Sequence, residues 1–89
     1  KAVFIALYKD DPMDVLTVQD VADRSFDMAK ADFPGVKPVS KKTAGPAINK
    51  LIRMGLADRP NGPKGGARLS TSGRRKVLQI APSLPHEFP

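Results

Sequence analysis

Proline and glycine partition this chain, and the segments they leave admit only short elements. Asp10-Asp11-Pro12 ends the first segment, since a residue before proline is pushed out of the helical region. Phe33-Pro34-Gly35-Val36-Lys37-Pro38 puts two prolines and a glycine into six residues and reads as a loop. Gly55 stands where a helix commonly closes. Asn61-Gly62 is a hairpin turn signal that Pro63, Gly65 and Gly66 lengthen, and Pro82 stops the last helical pattern.

The spacing of side chains inside each segment names its element. Residues 1–9 pair Val3 with Leu7 and Phe4 with Tyr8 at i,i+4, which suits a helix buried on more than one side. Val15-Leu16 reads as a brief strand. Thr17, with Asp20 three residues on, approximates a capping box, and Val18, Val21, Ala22, Ser25, Phe26 and Ala29 form one stripe. A helix over residues 18–31 follows. The next helix sets Ala44, Ile48, Leu51, Ile52 and Gly55 on one face and Thr43, Pro46, Asn49, Lys50 and Arg53 on the other. Proline is tolerated in a first turn but costs about 3 kcal/mol in an interior. Pro46 therefore places the cap near Thr43, with Ser40 capping a preceding helical turn. Leu56-Ala57-Asp58-Arg59 and Ala67-Arg68-Leu69 read as two strands, and Ser70 caps a final helix carrying Val77, Leu78 and Ala81. Met13, Met28 and Met54 read as core or gap fillers. The expected fold is mainly α with a small β-hairpin (α+β), one domain over 1–81 followed by a Pro-rich tail over 82–89 with Leu84 and Phe88.

Charge narrows the partners. Eleven of the fifteen Lys and Arg lie in residues 37–76 beside a single acid, Asp58, a local charge of +10 against +6 for the whole chain. Residues 1–36 carry a net −3. A basic surface attracts polyanions through phosphate contacts and counterion release. Eighty-nine residues make one small domain, without cysteine for disulfides or thiolate metal sites. No apolar run nears the ~20 residues of a membrane span. A cytoplasmic setting is expected, nucleoid-associated in a prokaryote. Lys1 rather than Met stands first with no signal-peptide pattern, which points to a domain from a longer parent protein.

Two segments carry a family resemblance. The run from Thr43-Ala44-Gly45-Pro46 through Leu51-Ile52-Arg53-Met54-Gly55-Leu56-Ala57-Asp58-Arg59 resembles a recognition helix passing into the first strand of a wing. Arg68-Leu69-Ser70-Thr71-Ser72-Gly73-Arg74-Arg75 resembles the exit from that wing, where Leu-Thr/Ser-x-x-Gly-basic opens the next helix. Together they are similar to winged helix-turn-helix domains of MarR-like and PadR-like transcription regulators, over about residues 16–78. The resemblance implies three helices, a two-stranded wing and a C-terminal helix. Residues 26–39 exceed the tight turn usual between the second and third helices of that family, so either the second helix is extended or a loop is inserted.

In such domains the third helix enters the major groove and the wing reaches the flanking backbone or minor groove. The resemblance carries the first role to Thr43, Pro46, Asn49, Lys50 and Arg53, and the second to Arg59, Lys64 and Arg68. The side-chain chemistry agrees: Asn49 suits paired contacts with adenine, Arg53 with guanine or phosphate, and a Gly-rich wing lets Lys64 follow the backbone. Ser40, Lys41 and Lys42, and Arg74-Arg75-Lys76, flank helix starts and read either as phosphate clamps or as solvated charge. Asp20, Asp23 and Asp27 share one side of the second helix. A metal site is one reading of them and a solvated, dipole-favoured face the other. Residues 10–14 lack the glycine and closing glutamate of a calcium loop, and His86 has no ligand or nucleophile partner, so neither an enzyme nor a cofactor is expected.

The expected function is sequence-specific binding of double-stranded DNA, as a transcriptional regulator or repressor or a plasmid-, phage- or replication-associated binder. The apolar first helix with Leu84 and Phe88 supports a homodimer reading a two-fold site, or else completes the monomer core. The alternative function is a winged-helix protein-interaction module within a larger nucleic-acid-processing assembly. RNA is disfavoured because Phe4, Tyr8, Phe26 and Phe33 precede the basic half and Phe88 follows it.

Overall fold

Thr17 fixes the start of the longest apolar stripe. In the computed structural model, which describes residues 2–62, 65–82 and 84, the Thr17 side chain accepts from the Asp20 amide and the Asp20 carboxylate accepts from the Thr17 amide, both at 3.0 Å. This full capping box opens a helix over Val18–Lys30. Helices α1 (Ala2–Ala6), α2 (Val18–Lys30) and α3 (Lys41–Arg53) precede strands β1 (Ala57–Asp58) and β2 (Arg68–Leu69), and α4 (Thr71–Ile80) follows. The described residues thus hold four helices, three before and one after a two-stranded antiparallel sheet, a small mainly helical α+β arrangement.

The hairpin pairs Ala57 with Leu69 and Asp58 with Arg68, each strand shorter than its apolar run suggested. Leu16, expected in a strand with Val15, contributes an isolated bridge to Ala67. Its backbone exchanges two 2.8 Å hydrogen bonds with Ala67, so the segment before α2 closes the outer side of β2's entry.

α1 is shorter than residues 1–9 allow. Beyond Ala6 the chain tightens into a turn, and two arginines take up the carbonyls that follow. Arg24 donates to the Tyr8 carbonyl at 3.0 Å, and Arg74 donates to that of Lys9 at 2.6 Å. The apolar content of the segment is nonetheless spent: Val3 to Tyr8 are all buried, packed with Val21, Met28, Ile48, Leu69, Val77 and Leu84 in one core. The residues that suggested a dimer through the first helix and Leu84 therefore complete the chain's own core. Phe88 lies outside the described residues.

Three expectations about burial change. Phe26 was placed on the core stripe of α2 but is 53% exposed, while Met28 takes the buried position. Met13 and Met54 are exposed too and lie outside the core. Met28 alone of the three behaves as core, because it sits on the same helical face as Val21 and Ser25.

The cap of α3 is Ser40, not Thr43. The Ser40 hydroxyl accepts from the Thr43 amide at 3.3 Å, and the helix continues unbroken through Pro46, its sixth residue. A side chain on Gly45 would meet no neighbouring atom, so packing does not explain that glycine. The proline does: its ring crowds the Cβ of the preceding residue in helical geometry, and Gly45 has none. The hydrogen bond that Pro46 cannot donate falls on the exposed side of the helix, where water can replace it.

The end of α3 matches expectation closely. Gly55 takes φ +76°, its amide bonds to Ile52, and the Leu56 amide reaches back to Leu51 at 2.9 Å. This is a Schellman closure, with Leu51 and Leu56 as its apolar pair. Between α2 and α3 runs a ten-residue loop, residues 31–40, so the length in excess of a tight turn is carried as an insertion. Ser25, the buried polar residue of α2, pins it: the hydroxyl donates to the Ala22 carbonyl at 2.7 Å and accepts the Val39 amide at 2.9 Å.

Candidate nucleic-acid interface

One face of α3 is committed before any partner is considered. Ala44 and Ile48 are fully buried, and Leu51 and Ile52 pack against the same core. Helical spacing then forces Lys42, Pro46, Asn49 and Arg53 into one line on the opposite side, with Thr43 and Lys50 beside it. All six are exposed. The line carries two to three cationic side chains and one carboxamide, held on a rigid element rather than a loop. Ser40 and Lys41 stand at the N-terminus of α3 off this line, Lys41 exposed and Ser40 engaged as cap. The first-turn amides of α3 also carry the positive end of the helix dipole, which favours an anion there.

The hairpin reaches this face through Arg59. Its guanidinium Nη2 donates to Oδ1 of Asn49 at 3.2 Å, joining the chain just after β1 to the exposed line of α3. Sequence reasoning placed Asn49 on the helix and Arg59 on the wing separately and missed their pairing. Nothing local could have revealed it, because the two lie ten positions apart across the Gly55 turn.

Arg68 is placed differently. It sits opposite Asp58 in the sheet and pairs with it at 3.0 Å, while its Nη1 lies 3.3 Å from the Met13 sulfur. Strand alternation puts Arg59 and Arg68 on opposite faces of the hairpin. Arg68 lines an open groove with Pro12, Met13, Gly55, Thr71 and Ser72. Its pairing with a half-exposed carboxylate contributes roughly 0.2–1 kcal/mol.

The basic run on α4 divides. Arg75 and Lys76 are exposed, as solvated charge or a phosphate clamp requires. Arg74 is neither: half-buried, it holds the chain after α1 and stacks on Tyr8. Lys64, expected to follow the nucleic-acid backbone, lies outside the described residues, as does His86.

The acids of α2 stay apart in role. Asp20 closes the capping box and Asp23 accepts from Gln19 at 2.9 Å. Among the described residues no three His, Cys, Asp or Glu side chains converge as a metal site would need, and no helix is long and apolar enough to cross a membrane. The chain matches no protein-family model, no curated protein and no solved structure.

Proposed function

We propose that this chain is a winged helix-turn-helix domain that binds double-stranded DNA in a sequence-specific manner, with α3 in the major groove and the β1–β2 hairpin against the backbone or minor groove. The observation that carries the reading is the exposed line of Lys42, Pro46, Asn49 and Arg53, presented by a helix whose other face is locked into the core. A helix fixed on one side and cationic on the other suits insertion into a groove lined by phosphates. Function is by occupancy, as a transcriptional regulator or repressor or a plasmid-, phage- or replication-associated binder. Of the residues given DNA-contact roles by sequence, this reading assigns the exposed Thr43, Pro46, Asn49, Lys50 and Arg53 of α3 to the groove, and the exposed Lys41, Lys42, Arg75 and Lys76 near helix starts to phosphates. Ser40 contributes as the helix cap, Arg68 and Arg74 as scaffold.

Affinity for random and selected duplex, measured against salt, tests this directly. A log–log slope of about −0.9 per phosphate contacted is expected. Absent or salt-independent binding would end the reading. Selection from a random duplex pool separates one-copy from two-copy binding, since a homodimer returns a palindrome.

One observation favours a second reading, a protein-interaction module inside a larger assembly. Phe26 is exposed in a mainly apolar depression shared with Asp27, Ala29, Lys30 and Pro38, built by α2 and the loop before α3. A stoichiometric protein partner that survives nuclease treatment, and that Phe26→Ser releases, would establish it.

A further inference from the structure

As a wing residue, Arg59 is expected from sequence to reach the flanking backbone or minor groove. The geometry points to another role: we infer that Arg59 is a positioning residue that sets the orientation of the Asn49 carboxamide for reading one base pair. The inference rests on the DNA-binding reading of α3.

The argument begins with donor and acceptor chemistry. A guanidinium carries only donors, so the Asn49 atom 3.2 Å from Arg59 Nη2 must be the amide oxygen. The oxygen and nitrogen of a carboxamide, which a side chain alone leaves interchangeable, are thereby told apart. With Oδ1 turned to Arg59, the Nδ2 amide hydrogens are directed to the other side of the planar group, away from Arg59. Asn49 lies in the exposed line between Pro46 and Arg53, so that donor is offered at the centre of the candidate interface.

Without such a partner an exposed Asn samples several rotamers and both amide orientations, and binding must fix one of them at an entropic cost. Arg59 is well placed to remove that cost. It is half-buried, follows directly on β1, and is anchored by the hairpin rather than by α3 itself. A carboxamide oxygen accepts two hydrogen bonds, so a paired contact with a base that offers both an acceptor and a donor is compatible with the Arg59 bond. Arg59 thus acts on DNA through Asn49.

A double-mutant cycle read on two duplexes tests this. The probes are a selected high-affinity duplex and a random duplex of equal length, each titrated at several salt concentrations with the wild-type chain, Arg59→Ala, Asn49→Ala and the double variant. Arg59→Ala should lower the selected-to-random affinity ratio about fivefold, the lower end of what one base contact supplies, and leave the salt slope unchanged. In the Asn49→Ala background the same substitution should have no further effect on the ratio. Arg59→Lys keeps the charge but not the planar fork, so it should lose discrimination at full salt slope. If instead Arg59→Ala weakens both duplexes equally, reduces the slope by about 0.9, and does so whether or not Asn49 is present, Arg59 is a phosphate contact and the positioning role is wrong. If the wild-type chain binds neither duplex, the DNA reading itself fails, an outcome distinct from either.

Discussion

The guanidinium of Arg74 lies 4.6 Å from the centre of the Tyr8 ring, joining α4 to the segment that leaves α1. The same group donates to the Lys9 carbonyl at 2.6 Å and reaches that of Asp10 at 3.4 Å. Arg24 takes the Tyr8 carbonyl from the other side. Two arginines in a basic protein are therefore engaged in holding backbone oxygens of residues 8–10, the segment that follows α1.

Arg74→Ala should destabilise the fold by about 2 kcal/mol, from lost charge-assisted hydrogen bonds and the cation–π contact. For a chain of this size that lowers the melting midpoint by roughly 10 °C. Arg74→Lys should recover only part of it, since an ammonium cannot span two carbonyls and a ring face together. Duplex binding by the folded variant should keep its salt slope. A slope reduced by about 0.9 with an unchanged midpoint would return Arg74 to the phosphate-contact role.

Gly73 meets Leu56 backbone to backbone. A Cβ there would overlap the Leu56 carbonyl oxygen, which already accepts the Ser70 amide at 3.0 Å. In an unpacked helix Ala would be favoured over Gly by about 1 kcal/mol. Here the sign should reverse: Gly73→Ala forces α4 off the turn after α3, and overpacking of this kind costs about 1–3 kcal/mol. The urea midpoint checks it, and a variant more stable than wild type would show that α4 does not approach Leu56 this closely.

Ser25 makes an equally local claim. Ser25→Ala removes the acceptor for the Val39 amide just before the α3 cap. An amide left without a partner in a part-buried site costs about 1–3 kcal/mol. Hydrogen exchange at Val39 should accelerate more than exchange at Val21 or Ile48 in the cores of α2 and α3. Uniform acceleration at all three would mean that Ser25 supports global stability only.

What the sequence made legible was what short range decides. The Thr17–Asp20 capping box and the Gly55 closure each involve residues within six positions, so their chemistry could be read directly. The start of α3 was misplaced because the proline penalty was applied without the residue before it. Gly45 and an exposed ring position reduce that penalty, and Ser40 was the better cap. Met28 is buried as expected, whereas Phe26 fits the same helical stripe and is exposed, because only the neighbouring helices decide how far round α2 the core extends. Arg74 was unreadable for a stronger reason: its partners Tyr8, Lys9 and Asp10 lie more than sixty residues away, and nothing in a basic run marks one member as structural. For the candidate site, helical periodicity supplied the exposed face of α3, whereas the Asn49–Arg59 pair and the diversion of Arg68 to Asp58 depend on the hairpin's register.

The two ends of the α3 line should behave differently on DNA. Arg53 lies in the last turn and has the planar fork that pairs with guanine, whereas Lys42 lies in the first turn, beside the helix's positive end, as a compact point charge. Arg53→Ala should weaken a selected duplex more than a random one, by about 5- to 100-fold in the ratio if it reads a base. Lys42→Ala should weaken both alike and reduce the salt slope by about 0.9. Both side chains are exposed, so melting midpoints should move little, corresponding to no more than about 0.5 kcal/mol. Titrations on the two duplexes separate these outcomes. If Arg53→Ala behaved like Lys42→Ala, the C-terminal end of α3 would lie against a phosphate strand, and base reading would have to fall to Pro46 and Asn49 near the helix centre.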